Sequence, residues 1–338
     1  MTGAPRVWVL TGPRQGDAAQ ARALAADLGR PWREIPLRHG PLREAPNVLL
    51  GASLVSLRDR PDALAPPWPD LVIGVGRRGV PAARWIRARS GGRTRLVWIG
   101  RPRAPLALFD LVLSTPQYGL PEATNLISLT LPWQAPLATP PSEGPGTHVL
   151  AVLGGDGWAV RLGPAEVDAL AAAAVGRARA LGLPMAAVTS PRTPPALAAR
   201  LRERSGPGDR FHAFGAAGAN PYRDWLADAA EVVVTGDSAS AASEAAWTGR
   251  PITVIPAPER PWLRALCAAG GDAARRWRKR GGNLGLAAPP PDMGALLEAL
   301  VERGLAGRED GALHLAPCRP ALEAERRAAL ERVAALLP

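Results

Sequence analysis

Short runs of four or five residues, almost entirely apolar, recur along the chain and constrain its fold more than any other feature. A strand that is apolar at consecutive positions, rather than at alternate ones, is buried on both faces of a sheet. Such strands occur in parallel sheets that are covered by helices. The runs in the first half are Val7–Leu10, Leu71–Val75, Leu96–Ile99, Leu111–Ser114 and Leu126–Leu129.

Helical patterns lie between these runs, at Ala18–Leu28 and Pro81–Ser90, and the alternation predicts an α/β fold. A proline-rich break over residues 132–146 interrupts the pattern, which then restarts. The later strands are predicted at Val149–Leu153, Met185–Thr189, Phe211–Phe214, Val232–Thr235 and Ile252–Ile255. The later helices are predicted at Ala165–Leu181, Pro194–Arg204, Pro221–Ala229, Ser238–Thr248 and, amphipathic at the end of the chain, Arg319–Leu337. We therefore expect two Rossmann-like, doubly wound domains facing a cleft: residues 1–138 and 148–318, joined by a linker at 139–147.

Charge and composition indicate the chemical class of partner that the chain binds. The formal net charge is +11, and 40 of the 41 basic residues are arginine, so part of the basicity reflects a GC-rich coding style. Residues 1–146 hold 18 basic and 10 acidic residues, and this net +8 predicts an anionic partner for the first half. No nucleic-acid motif, transmembrane run or signal peptide is recognised, and two cysteines, Cys267 and Cys318, form neither a disulfide framework nor a metal site. A cytoplasmic location without a bound metal or cofactor is expected.

Three loops that follow strands in the first half suit an anionic ligand, because parallel sheets bind ligands at the carboxyl ends of their strands. The first loop permits a tight turn and holds one acid, Asp17, which is either a helix cap or a functional carboxylate. The other two loops present arginines, which are either phosphate ligands or solvated side chains of an arginine-rich protein. The candidate acceptor-binding residues are Gly12, Gly16, Gln20, Gly76, Arg77, Arg78 and Arg101.

The second half offers a candidate nucleotide site. Strand Val232–Thr235 runs into a loop of small and hydroxyl residues at a helix start, where backbone amides and the hydroxyls of Ser238 and Ser240 can hold a diphosphate. Glu244 lies about one and a half turns into the helix and can accept both hydroxyls of a ribose. The alternatives are a helix cap for Ser238 and a surface acid for Glu244. The glycine loop Gly154-Gly155 and Arg192, at another helix start, add to the predicted donor side.

Taken together, these motifs resemble the bacterial members of the elongated-mitochondria (mitochondrial fission) family of candidate glycosyltransferases. The segments that carry the resemblance are Pro69–Arg78, Pro81–Ile86, Phe109–Val112, Asn220–Tyr222, Val234–Ser238, Ser243–Ala245 and Thr248–Pro251. The family is similar to glycosyltransferases of the B-type fold, which implies an acceptor half, a nucleotide-sugar half and a C-terminal helix over residues 319–338 that packs back on the first domain. The resemblance also implies donor contacts at Asn220, Asp237, Ser238, Ala239, Ser240 and Glu244. After strand Leu111–Ser114, relatives carry a His-Asp pair where this chain has Gln117-Tyr118.

The resulting functional hypothesis is a metal-independent glycosyltransferase with a nucleotide-diphosphate sugar as donor. Its acceptor is anionic or lipid-linked and belongs to the cell envelope, and Asp17 is the candidate general base. The alternatives are a non-catalytic nucleotide-binding or membrane-division scaffold, and a nucleotide-sugar epimerase or hydrolase on the same fold. The cationic segment Arg275–Arg280, with Trp277 at its centre, is either a solvated helix end or a peripheral contact with an anionic membrane on its inner face.

Overall fold

The computed structural model describes residues 6–135, 141, 144–157, 159–262 and 291–338, in two compact units. The segment Arg275–Arg280 lies outside the described residues. The described part of the first unit consists mainly of residues 6–135 and 323–338, and that of the second of residues 144–262 and 292–322.

The first unit contains a parallel sheet in the order β2-β1-β3-β4-β5-β6. Most residues of β1, β3, β4 and β5 are buried, because helices cover both faces of the sheet. The strands are β1 (Val7–Thr11), β2 (Trp32–Pro36), β3 (Leu71–Val75), β4 (Arg95–Ile99), β5 (Leu111–Ser114) and β6 (Leu126–Ser128). The helices are α1 (Gln15–Asp27), α2 (Asn47–Leu50) and α3 (Val80–Arg89).

The second unit repeats this construction in the order β12-β13-β11-β10-β7-β8-β9. Its strands are β7 (His148–Leu153), β8 (Met185–Thr189), β9 (Arg210–His212), β10 (Ala229–Thr235), β11 (Ile252–Ile255), β12 (Ala306–Glu309) and β13 (Ala312–Leu315). Its helices are α4 (Pro164–Leu181), α5 (Pro195–Glu203), α6 (Tyr222–Asp228), α7 (Ala239–Ala246) and α8 (Met293–Glu302). Helix α9 (Arg319–Ala334) follows, and most of it belongs to the first unit. The two sheets confirm the predicted α/β class with two doubly wound halves.

Helix α9 packs on the first unit. Ala329 and Val333 join the core that α1 forms with one face of the sheet. Both carboxylate oxygens of Glu325 accept the backbone N–H of Thr130 at 2.9 Å, and Arg326 forms an ion pair with Asp27 of α1. The end of the chain therefore completes a core that begins with its first strand.

The structure adds elements that the periodicity did not predict. Within the part of the chain that the structure describes, strand β2 pairs with β1 alone, and it mixes polar with apolar residues because it forms an edge of the sheet. Strands β12 and β13 form an antiparallel hairpin around a turn at Asp310-Gly311, where both residues have positive φ, and β13 pairs antiparallel with β11. Helix α1 begins at Gln15 rather than Ala18, so Asp17 lies within its first turn and is not its N-cap, which is Arg14. Strand β9 covers 210–212 rather than Phe211–Phe214.

None of the helices among the described residues combines the length and the apolar character needed to span a bilayer. Within the same residues, no group of three or more His, Cys, Asp or Glu side chains has the geometry of a metal site.

Candidate functional site

The carboxyl edge of the first sheet carries a group of arginines around two carboxylates. Asp17 lies in the first turn of α1 and is half-buried beside the loop that follows β3, where a Cβ added to Gly76 would lie 3.7 Å from its Oδ2. Burial raises the pKa of the Asp17 carboxyl, and the guanidinium groups of Arg14 and Arg78 lower that pKa in part. A carboxylate with a raised pKa is a better proton acceptor than an ordinary surface acid.

The predicted arginines converge on this edge, but they are not equivalent. Arg77 and Arg78 both form ion pairs with Glu44, and Arg77 also donates to the carbonyl of Ala45 at 3.2 Å. Arg101 is buried, with its guanidinium 5.5 Å from the centre of the Tyr118 ring. Burial lowers the pKa of Arg101. Glu44 therefore holds the first two arginines in place, while Arg101 is held against an aromatic ring.

Arg103 belongs to this group although the sequence analysis did not assign it. Its backbone has φ of 50°, a conformation that costs about 1–2 kcal/mol for a residue with a Cβ. Burial, followed by the nearby Arg77 and Arg101, lowers its pKa to about 10. Backbone strain and crowding of like charges in one residue are typical of a functional position. The only sequence signal was its place two residues after Arg101.

Unpartnered polar atoms mark the same edge. Nδ1 of His39, Oγ of Ser114 and Oε1 of Gln117 are buried without a hydrogen-bond partner among the described residues. His39 follows β2 and lies beside the loop after β1, where a Cβ added to Gly12 would be 3.9 Å from its Nε2. Burial and the neighbouring arginines lower the pKa of His39, which disfavours its protonated form. Buried polar atoms without partners are rare in folded proteins, and their concentration here favours a ligand site.

The remaining predicted residues of the first half lie in the β1–α1 segment. Gly12 and Gly16 are exposed, and a Cβ added to Gly16 would meet nothing within 4 Å. Gln20 is half-buried one turn further along α1. These positions therefore lie in the segment that follows β1, at the same end of the sheet as the arginine group.

In the second unit, Asp237 joins three strand ends. Its carboxylate is fully buried and accepts hydrogen bonds from the Thr235 hydroxyl at 2.7 Å, from the Gly155 N–H at 3.0 Å and from the Arg192 guanidinium at 2.9 Å. Arg192 also donates to the carbonyl of Gly155. The loops after β7, β8 and β10 are thus held together by one carboxylate.

The glycines of the β7 loop are required by this packing. A Cβ added to Gly154 would overlap the Asp237 carboxylate, and one added to Gly155 would overlap the backbone of Arg192. The structure therefore gives Gly154, Gly155, Asp237 and Arg192 internal contacts that shape the loops. Of these residues, Arg192 keeps a large exposed fraction of its side chain, 42%, and so remains available to an anion.

Helix α7 begins directly after this network. Ser238 is its N-cap, with Oγ accepting the Ala241 N–H at 3.3 Å. The first amides of a helix have no partner within the helix, so those of Ala239 and Ser240 are suited to an anion. Both residues are half-buried. The cap and the anion site are compatible, because one hydroxyl satisfies only one amide.

Glu244 is half-buried on α7 and is hydrogen-bonded to the side chain of Tyr222. Burial raises the pKa of the Glu244 carboxyl, while that hydrogen bond lowers it. The pKa of Tyr222 is well above its ordinary value because of burial and of Glu244, so the phenol remains protonated and donates. Asn220 Oδ1 in turn accepts the Tyr222 N–H at 3.0 Å. Asn220 thus contacts the backbone of the residue that interacts with Glu244, and Tyr222 is a member of this group that the sequence motifs did not assign to a site.

Solved structures of similar architecture include three that cover most of this chain. A MurG from Acinetobacter baumannii is 13% identical, and the match covers 96% of this chain and 100% of that chain with a TM-score of 0.42. A UDP-GlcNAc 2-epimerase from Neisseria meningitidis bound to UDP-GlcNAc is 11% identical, with coverage of 89% and 99% and a TM-score of 0.41. A UDP-GlcNAc 2-epimerase from Methanocaldococcus jannaschii is 11% identical, with coverage of 88% and 92% and a TM-score of 0.43.

Sequence comparison gives a relative and a family. A Rickettsia prowazekii protein described as uncharacterized protein RP120 is 30% identical over 109 residues. That match covers 32% of this chain and 30% of the relative's length. The model of the family described as mitochondrial fission ELM1 matches residues 15–266, which is 252 of the 338 residues. The resemblance seen in the motifs is thereby confirmed.

Proposed function

Because the chain belongs to the mitochondrial fission ELM1 family, we propose that it is a glycosyltransferase whose second unit binds a nucleotide-diphosphate sugar and whose first unit binds an anionic acceptor. The observation that carries the proposal is the pairing of Glu244 with Tyr222 beside the start of α7. A half-buried carboxylate that is oriented by a phenol and lies about one and a half turns beyond free helix amides matches a nucleotide diphosphate. The amides would donate hydrogen bonds to the diphosphate, and the carboxylate would accept hydrogen bonds from the ribose hydroxyls.

The arginine group of the first unit supports an anionic acceptor. Among the described residues, the guanidinium groups of Arg14, Arg77, Arg78 and Arg103 lie near the carboxylates of Asp17 and Glu44, and Arg43 also pairs with Glu44. A phosphate or diphosphate on the acceptor would offset the excess positive charge. A lipid-linked acceptor of the cell envelope has this chemistry.

In the proposed reaction, Asp17 accepts the proton of the acceptor hydroxyl as that oxygen attacks the anomeric carbon of the donor sugar. The bond from this carbon to the diphosphate oxygen breaks, and the nucleoside diphosphate leaves with the negative charge. Helix amides and Arg192 stabilise that charge electrostatically, so the residues can perform the step without a bound metal. The raised pKa of Asp17 suits it to proton transfer.

The test begins with binding. Isothermal titration calorimetry with a panel of nucleoside diphosphates should identify a ligand whose affinity falls at least tenfold in Glu244→Ala and less in Tyr222→Phe, which keeps the carboxylate and loses its hydrogen bond. Glu203→Ala is the matched control, since Glu203 is an exposed acid on α5 of the same unit. Unchanged affinity in Glu244→Ala would remove Glu244 from the site.

The reaction class is tested separately with the identified donor. Transfer requires an acceptor, whereas consumption of the donor alone would identify an epimerase or a hydrolase. Binding without turnover in either assay would identify a nucleotide-binding scaffold. Asp17→Asn should retain nucleotide affinity and lose transfer, because it removes the base and keeps the shape of the side chain.

A further inference from the structure

A surface loop of the first unit exposes apolar side chains next to the arginine group. Of the eight large hydrophobic residues that the described part of the chain exposes, four lie within residues 40–56. They are Leu42 (47% exposed), Val48 (56%), Leu49 (78%) and Val55 (57%). Single exposed hydrophobic residues are ordinary, but a concentration of this kind marks an interaction surface.

The loop is closed at its base by backbone hydrogen bonds. The Gly40 N–H donates to the Ser56 carbonyl at 2.8 Å, and the Arg58 N–H donates to the Arg38 carbonyl at 2.8 Å. These bonds join the two ends of residues 40–56. The exposed side chains therefore belong to a closed, hydrogen-bonded loop.

The inner side of the loop is fixed to the arginine loops. Asn47 is buried and its amide donates to the carbonyls of Arg77, at 3.0 Å, and Pro102, at 2.9 Å. Leu50 is buried as well, and Glu44 forms ion pairs with Arg77 and Arg78. Asn47 and Leu50 thus anchor the loop from its inner side, whereas Leu42, Val48, Leu49 and Val55 are left exposed to solvent.

The charges next to this apolar surface are mostly positive. Within residues 40–56 the only charged side chains are Arg43 and Glu44, and Glu44 is already paired with Arg77 and Arg78. Arg38 and Arg58 are exposed at the base of the loop, where Asp59 is the adjacent exposed acid. A cationic rim around aliphatic residues is complementary to a negatively charged lipid surface, which takes apolar side chains below its headgroups.

From this arrangement we infer that the loop of residues 40–56 docks on an anionic lipid bilayer. The exposed side chains are Leu and Val, which are under-represented among protein–protein hot spots, whereas Trp, Tyr and Arg predominate there. The inference deepens the proposed function, and rests on it for the source of the acceptor, because a bilayer contact beside the arginine group would bring that group to a lipid-linked acceptor. The contact itself requires no turnover.

Vesicle sedimentation of the full chain, without nucleotide or acceptor, tests the inference. Phosphatidylcholine vesicles that contain phosphatidylglycerol should bind the protein, and vesicles of phosphatidylcholine alone should bind it much less. Val48→Gln combined with Leu49→Gln should weaken binding at least tenfold, because the two side chains lose their burial in lipid. Arg38→Gln, Arg43→Gln and Arg58→Gln should each weaken it about fivefold, and added salt should weaken binding of the unaltered protein.

The matched control is Leu181→Gln combined with Phe214→Gln, which changes two exposed hydrophobic residues of the second unit and should leave vesicle binding unchanged. Equal binding to both kinds of vesicle, or equal loss in the control, would overturn the inference. So would concentration-dependent self-association in analytical ultracentrifugation that the loop variants abolish, because the surface would then bind a second copy. Nucleotide affinity is measured on the same variants, so that the two proposals are tested separately. Loss of vesicle binding with unchanged nucleotide affinity would concern the loop alone, and absence of nucleotide binding with intact vesicle binding would concern the proposed function alone.

Discussion

Replacing Thr235 by Val should destabilise the second unit strongly, although the two side chains have nearly the same size. Thr235 is fully buried at the end of β10. Its hydroxyl accepts the Gly154 N–H at 2.8 Å and donates to Asp237 at 2.7 Å. Valine replaces the hydroxyl with a methyl group and removes both bonds, while it fills the same space.

The magnitude follows from the groups that lose their partners. A buried N–H left without an acceptor, here that of Gly154, costs about 1–3 kcal/mol. The lost bond to the charged carboxylate of Asp237 costs about 1.5–3 kcal/mol. Water cannot replace either partner easily, because Thr235 and the Asp237 side chain have no exposed surface. The expected loss of unfolding free energy is therefore about 3–5 kcal/mol.

Thr253→Val provides the matched control. Thr253 lies on the adjacent strand β11, is also buried, and makes a hydrogen bond to His314 Nδ1 at 3.1 Å. His314 is half-buried and can bond to water instead, so the expected cost is about 1 kcal/mol. The two variants thus share the chemical change and differ in what they leave unsatisfied.

Urea unfolding of both variants measures the difference in the transition that belongs to the second unit. Hydrogen exchange of the Gly154 and Gly155 amides reports the loop directly, and both amides should lose protection in Thr235→Val and keep it in Thr253→Val. A difference below 1 kcal/mol between the variants, or unchanged protection of both amides, would refute the role given to this hydroxyl.

Three further outcomes are expected. Arg103→Gly should raise the unfolding free energy by about 1–2 kcal/mol, because it removes a side chain from a strained backbone position crowded by like charges. The same variant should bind inorganic phosphate more weakly in calorimetry. Asp310→Gly is the control, since Asp310 also has positive φ, and it should leave phosphate binding unchanged. Burial lowers the pKa of His148 to about 4, so stability that is full above pH 6.5 should fall as the pH drops toward 4. Urea unfolding at a series of pH values should show that His148→Phe loses about 3 kcal/mol less unfolding free energy over this pH range than the unaltered protein. The same dependence of unfolding free energy on pH in both proteins would contradict this. In transfer assays, kcat/KM should rise with pH through a pKa above that of an ordinary aspartate, and this rise should be absent from any residual transfer activity of Asp17→Asn. A rise at the ordinary aspartate pKa would argue against Asp17 as the base.

The sequence located the strands that are buried on both faces because burial leaves a local trace. Leu71–Val75, Met185–Thr189 and Ile252–Ile255 are found where the apolar runs predict them. An edge strand has a different composition, since one side pairs and the other meets solvent, and β2 therefore escaped the pattern. Strand β12 lies at the edge of its sheet and escaped for the same reason, although the Asp310-Gly311 turn that joins it to β13 is a recognisable local signal.

The sequence by itself determined which loops follow buried strands, and therefore which residues can meet at a sheet edge. It could not determine which polar groups bind each other there. Asp237 and Arg192 are 45 residues apart and meet only because β8 and β10 both flank β7. Tyr222 and Glu244, and likewise Arg103 and Arg77, are also distant in sequence and close in the folded chain. Hydrogen bonds and charge interactions act over a few ångströms of space, whatever the separation along the chain, so only the tertiary structure shows these pairs.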